Sequence, residues 1–155
     1  MKSDKELPPR RRWAPLYLQA IDEMGYVVEA LSNEKADIRS GAVLACKHWN
    51  EQAPGRETQL ANLLAKELSL EKEDALRAIR LLRPIDPKVV KGADLDKVFA
   101  HLKDPNLAIR EIARYTLANA DPFGFRENGY EAGVPKERYE MQAQRWYQSW
   151  LRRYK

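Results

Sequence analysis

A single cysteine in 155 residues, Cys46, excludes an internal disulfide, and its small and apolar neighbours make it a core filler rather than a nucleophile. Histidine is almost as scarce. His48 and His101 stand 53 positions apart with no Cys, His or carboxylate set at ligand spacing beside them, so no metal site is expected. A phosphate-cradling glycine loop, a serine elbow and a dinucleotide fingerprint are all missing, and the sequence therefore offers no catalytic and no cofactor-binding residue. No uninterrupted apolar stretch approaches the ~18 residues that a membrane span requires. The opening "MKSDKELPPRRRW" has no apolar run of signal-peptide length, so no membrane span is expected and the cytoplasm is the expected address. Period-two alternation, the mark of half-buried strands, is also lacking.

What is present is charge and helix periodicity. Lys and Arg number 27 against 23 Asp and Glu, a net +4, which suits an acidic partner without demanding one. Leu18, Ile21, Met24, Val27, Val28 and Leu31 recur at steps of three and four and predict an amphipathic helix despite Gly25. Ile38, Ala42, Ala45 and Trp49 form a second stripe, broken at Pro54 and Gly55. A second pair repeats the plan, with Leu60, Leu63, Leu64 and Leu68 followed by Leu76, Ile79 and Leu82. Leu95, Val98, Phe99 and Leu102 and then Ile109, Ile112, Ala113 and Leu117 make a third, in which Asp104 is the expected N-cap and Pro105 the first helical residue. The fold class expected is all-α.

Three helix pairs of similar length call for a repeat test. Aligning "LSNEKADIRSGAVL" from Leu31 with "LKDPNLAIREIARY" from Leu102 brings Leu, a short polar residue, Ile-Arg and Ala into register. Asn33 with Arg39, Glu71 with Arg77 and Asp104 with Arg110 share one six-residue separation. The middle unit departs at Ser69, where the others have Leu31 and Leu102, and at Arg80, where they have Ala42 and Ala113.

The pattern L-x-[D/N]-x5-R-x-x-A, recurring after 38 and then 33 residues, resembles HEAT repeats, especially the short bacterial kind related to phycobilin-lyase repeats. The resemblance covers Pro15 to Ala120 and implies a short right-handed α-solenoid of about three helix pairs, armadillo-like in fold. It also implies a structural ladder of Asn33, Arg39, Glu71, Arg77, Asp104 and Arg110, in which the short polar residue caps the second helix. Each Arg would then reach an acidic or backbone acceptor of a neighbouring unit. An Arg beside an apolar stripe is tolerable only when its guanidinium is paired, and a planar fork of five donors can serve two units at once.

Outside the repeats, residues 1–14 read as a basic, proline-rich extended arm that Trp13 pins down. From Asn119, "NADPFGFRENGYEAGVP" reads as a loop whose Phe123, Phe125 and Tyr130 fold back on the last pair. Pro135 then opens a final helix with Tyr139, Ala143, Trp146 and Trp150 in one stripe, widened by Tyr147, Leu151 and Tyr154. F-G-[F/Y], then Pro, then R-W-x-x-x-W is similar to the ending of bacterial HEAT-repeat chains, where it closes the array. The segment 121–155 is thus an aromatic loop and a capping helix, against the alternative that its Trp and Arg residues dock a partner helix or a membrane surface.

Function follows from the scaffold rather than from a reactive centre. The favoured reading is a non-catalytic protein-interaction scaffold with a protein partner. A nucleic-acid binder is the alternative, with Lys47, Arg80, Arg83 and Arg114 on the inner surface and Lys88 and Lys91 nearby, like the basic concave face of HEAT-like alkylpurine DNA glycosylases. The acidic residue such an enzyme needs would be Asp37 or Glu111. An accessory lyase-type enzyme is the third reading. Oligomeric state is left open by the sequence.

Overall fold

The computed structural model describes residues 14, 15 and 23–154. The arm up to Trp13, with Leu18 and Ile21 of the first expected helix, lies outside the described residues. Among the described residues every regular element is helical and there is no strand. The chain divides into two compact units, Met1–Ala75 and Leu76–Lys155.

In the first unit, helix α1 (Met24–Glu29) runs into a 3-10 turn, Ala30–Ser32, and is followed by α2 (Ala36–Glu51) and α3 (Arg56–Glu67). Most of the stripes predicted from spacing are buried: Met24, Val27, Val28 and Leu31 of α1 and its turn, Ala42, Ala45 and Trp49 of α2, and Leu60 and Leu64 of α3, with Ile38, Leu63 and Leu68 half-buried, and the three helices pack on one another. Gly55 ends the α2–α3 connection in the left-handed region, φ 85°, where a side chain would be strained. Arg56 then folds back across that connection, donating from Nη1 to the Trp49 carbonyl at 3.2 Å and lying 4.6 Å over the indole.

Helix α4 (Lys72–Arg80) crosses the division of the chain and buries Ala75, Ala78 and Ile79. The second unit continues with α5 (Gly92–Ala100), a 3-10 turn His101–Lys103, α6 (Leu107–Ala120), α7 (Pro122–Asn128) and α8 (Lys136–Arg153). Its core is aromatic. Phe99 of α5 stands edge-on to Trp146 at 5.9 Å and to Trp150 at 5.6 Å between ring centroids, both tryptophans being almost wholly buried. Such edge-to-face pairs add ~0.5–1.5 kcal/mol each beyond the area they bury.

Three expectations are corrected here. Asn106, not Asp104, caps α6, its side chain accepting from the Ala108 amide at 2.9 Å, so that Pro105 lies before the helix. Asp104 instead accepts from the Asn106 amide at 2.7 Å and shapes the turn. The segment after Asn119 is a loop only from residue 129 to 135: before it, Asp121 caps α7 by accepting from the Gly124 amide, Pro122 sits in its first turn, and Gly129 closes it in the left-handed region at φ 59°. Those are ordinary start and stop signals for a short helix. Finally, Tyr130 is buried as expected and Phe125 half-buried, but Phe123 is 69% exposed, turned out over the far side of α7 beside Arg126.

Candidate functional site

Arg39 and Arg110 are both buried, and each is anchored in the same way. Arg39 donates from Nη1 to the carbonyls of Asn33 at 2.8 Å and Glu34 at 2.9 Å; Arg110 donates from Nη1 to those of Asp104 at 2.6 Å and Pro105 at 2.9 Å. The short polar residue behaves alike too, since Asn33 accepts from the Lys35 amide as Asp104 does from Asn106. Each guanidinium thus ties its helix to the turn just before it, satisfying carbonyls that the turn leaves over. Arg110 extends the link, donating from Nε to the Ala132 carbonyl at 2.9 Å and lying 4.2 Å over the Tyr139 ring.

The middle position differs. Glu71 and Arg77 are exposed, and Ser69 takes φ 52° in the preceding turn. The two departures visible in the sequence, Ser69 and Arg80, sit where this unit departs in structure. Arg77 is exposed here where Arg39 and Arg110 are buried, and Arg80, in the place of a buried Ala, is exposed as well.

Those two arginines line a groove of the second unit. Arg77 and Arg80 from α4, then Arg83, stand along one side, with Lys97 and His101 on the other, around a cavity of about 620 Å³. Leu81, Pro84, Ile85, Val98 and Ala100 complete the lining. None of the lining residues is Asp or Glu, and none is Phe, Tyr or Trp. The wall is held in place from behind, because the buried Thr116 hydroxyl of α6 donates to the Leu81 carbonyl. Lys97 lies 3.7 Å from Asp94 with both side chains in water, a pairing that binds it weakly.

Of the four basic residues assigned to an inner surface, Arg80 and Arg83 meet in this groove. Arg114 does not line it: Glu111 holds Arg114 at 2.5 Å, and the guanidinium lies 5.6 Å from the Phe125 ring. Lys47 belongs to the first unit and lies 2.5 Å from Glu51. Of the two carboxylates considered for an enzyme, Glu111 is buried in its pairing with Arg114, and Asp37, in the first turn of α2, accepts from the Ile38 amide at 3.0 Å. Among the described residues no group of three or more His, Cys, Asp or Glu is placed to hold a metal ion. Burial pushes the Cys46 thiol up to about 12, leaving it protonated and unreactive.

One cluster escaped the sequence reading. Asp121, wholly buried, accepts from the Gly124 amide, the Trp146 indole, the Arg153 guanidinium and the Tyr154 hydroxyl, all at 2.9–3.1 Å. Arg153 also reaches Glu127, whose carboxyl the Ser149 hydroxyl and then Arg153 hold below its usual range. Every position around Asp121 is taken by the protein's own donors, so the cluster fastens α7 and the end of α8 together. Asp121-Pro122, an N-cap residue before a first-turn Pro, was the available signal.

No described helix is long and apolar enough to cross a membrane. Comparison with family models, with curated proteins and with solved structures gives no match.

Proposed function

We propose that this chain is a non-catalytic interaction module of the HEAT-repeat class that grips an acidic, aliphatic-bearing segment of a partner protein. The observation that carries the reading is the groove of the second unit: cations on both sides, an aliphatic floor, and no carboxylate in the lining. Carboxylates of a bound segment would face Arg77, Arg80, Arg83 and Lys97, while an aliphatic side chain would cover Leu81, Ile85 and Val98. Guanidinium groups suit this task because they hold carboxylates through two parallel hydrogen bonds. The volume falls in the ~300–1,000 Å³ range of ligand clefts, enough for a short stretch of chain and too little for a duplex. The repeated turn, with its Asx residue and its Arg six positions on, supports the HEAT-repeat assignment, since the sequence register and the hydrogen bonding agree at two places.

Nucleic acid is the weaker reading. Single strands are held by stacking on aromatic rings as well as by charge, and the groove offers no Phe, Tyr or Trp. The test sets a labelled peptide of alternating Glu and Leu against single-stranded and duplex DNA of matched charge, titrated with the full chain. The peptide should bind, and Arg80→Glu with Lys97→Glu should weaken it about tenfold or more. Tight DNA binding that collapses steeply with salt, with no peptide binding, would replace this reading by the other.

A further inference from the structure

We infer a second docking surface, the outward face of α8, shaped to take an acidic amphipathic helix of a partner protein. Trp146 and Trp150 point into the core, so any docking by this helix must use the opposite side. On that side Met141, Gln144, Gln148 and Leu151, all exposed, recur at steps of three, four and three, the spacing of the seam of a two-helix coiled coil. Met141 is 47% and Leu151 38% exposed. One exposed Met or Leu needs no explanation, but two that end a single straight stripe, with amides between them, make a strip for a partner helix to cover. A groove of about 470 Å³ opens along it, lined by the first three of these residues together with Asn128, Arg145 and Arg152.

Charge selects the occupant. Arg138, Arg145 and Arg152, all exposed, follow one flank of the seam at seven-residue intervals; Arg138 lies 3.6 Å from Glu131 with both side chains in water, a weak pairing, and Lys103 lies beside the seam, donating to Gln144 Oε1 at 3.0 Å. A partner helix with Glu or Asp along its own flanks meets this pattern. A second copy of the chain meets it badly: in an antiparallel pair the arginine flank faces itself. In a parallel pair it faces Glu140, which already lies 3.9 Å from Lys136, and two tyrosines. DNA would find no use for the apolar ends of the stripe.

The probe is a fluorescein-labelled synthetic helix of about three heptads with Leu at the seam and Glu on both flanks, which repels its own copies, and a control with Lys in place of Glu. Anisotropy titrations with the full chain should show saturable binding of the Glu helix and none of the Lys helix. Charge reversal at Arg138, Arg145 and Arg152 together should weaken binding about tenfold or more, and M141E with L151E should abolish it. If the triple variant loses its fold, R145Q alone should still weaken binding severalfold. Arg80→Glu with Lys97→Glu, in the other groove, should leave this affinity unchanged. Three results would overturn the inference: equal binding of the Glu and Lys helices, wild-type binding by the α8 variants, or loss of binding through the Arg80 and Lys97 changes.

Discussion

The Arg153 guanidinium lies 2.9 and 3.0 Å from the two carboxylate oxygens of Asp121, a residue with no exposed surface at all. Trp146 and Tyr154 donate to the same carboxylate, so three side chains and one amide depend on a single buried group. Removing it strands buried donors. Asp121→Ala should therefore lower stability by about 3–5 kcal/mol in urea unfolding, whereas Arg126→Ala, an exposed change on the same short helix, should stay within ~0.5 kcal/mol.

Gly124 and Gly25 make a second contrast. A Cβ on Gly124 would run into the Asp121 carboxylate and come within 2.7 Å of Trp146 Nε1, while a Cβ on Gly25 in α1 has nothing within 4 Å. Gly124→Ala should cost about 1–3 kcal/mol by overpacking. Gly25→Ala should raise stability by ~0.5–1 kcal/mol, because it stiffens the unfolded chain and favours the helix. Thermal melts of the two variants against the parent check both signs.

The arginines at equivalent sequence positions should separate in the same assay. Arg39→Gln and Arg110→Gln each leave carbonyls of a tight turn unpaired and should each cost about 1.5–3 kcal/mol. Arg77→Gln, on the surface, should fall within ~0.5 kcal/mol.

How much of this is written in the sequence can be seen at those positions. Tyr139, Ala143, Trp146 and Trp150 form the buried stripe of α8 because helical period alone decides which face is apolar. The shared six-residue spacing of Arg39 and Arg110 was legible in the local pattern, but its partners were not: the ladder was expected to reach a neighbouring unit, whereas both guanidinium groups bind carbonyls of the turn just before their own helix. α7 was not legible, since its Pro and Gly residues suggest a loop until Asp121 and Gly129 are taken as its two caps. The basic groove was legible only in half. Arg80 and Arg83 stand out as charge, but the arrival of Lys97, Val98 and His101 across from them depends on tertiary packing that no local spacing encodes.

Alkaline pH supplies another test. Burial holds the Cys46 thiol up to about 12 and raises Tyr130 as well, so the folded chain keeps protons that the unfolded chain releases. Fewer protons bound by the unfolded state means that stability falls as pH rises, beginning near the ordinary thiol value and continuing toward pH 12. Chemical unfolding across this range should show that decline, with a shallower slope in Cys46→Ala. In the folded protein at neutral pH the thiol should resist alkylation, and rapid labelling there would contradict its burial.

The most direct measurement of the binding account is a backbone amide NMR titration of the full chain with the Glu-Leu peptide. The account predicts that the amides that shift cluster at Arg77–Ile85 and Lys97–His101, around the groove, and return toward their starting positions as salt is added. Shifts confined to other surfaces, or no saturable shift at all while duplex DNA perturbs these same residues, would contradict it.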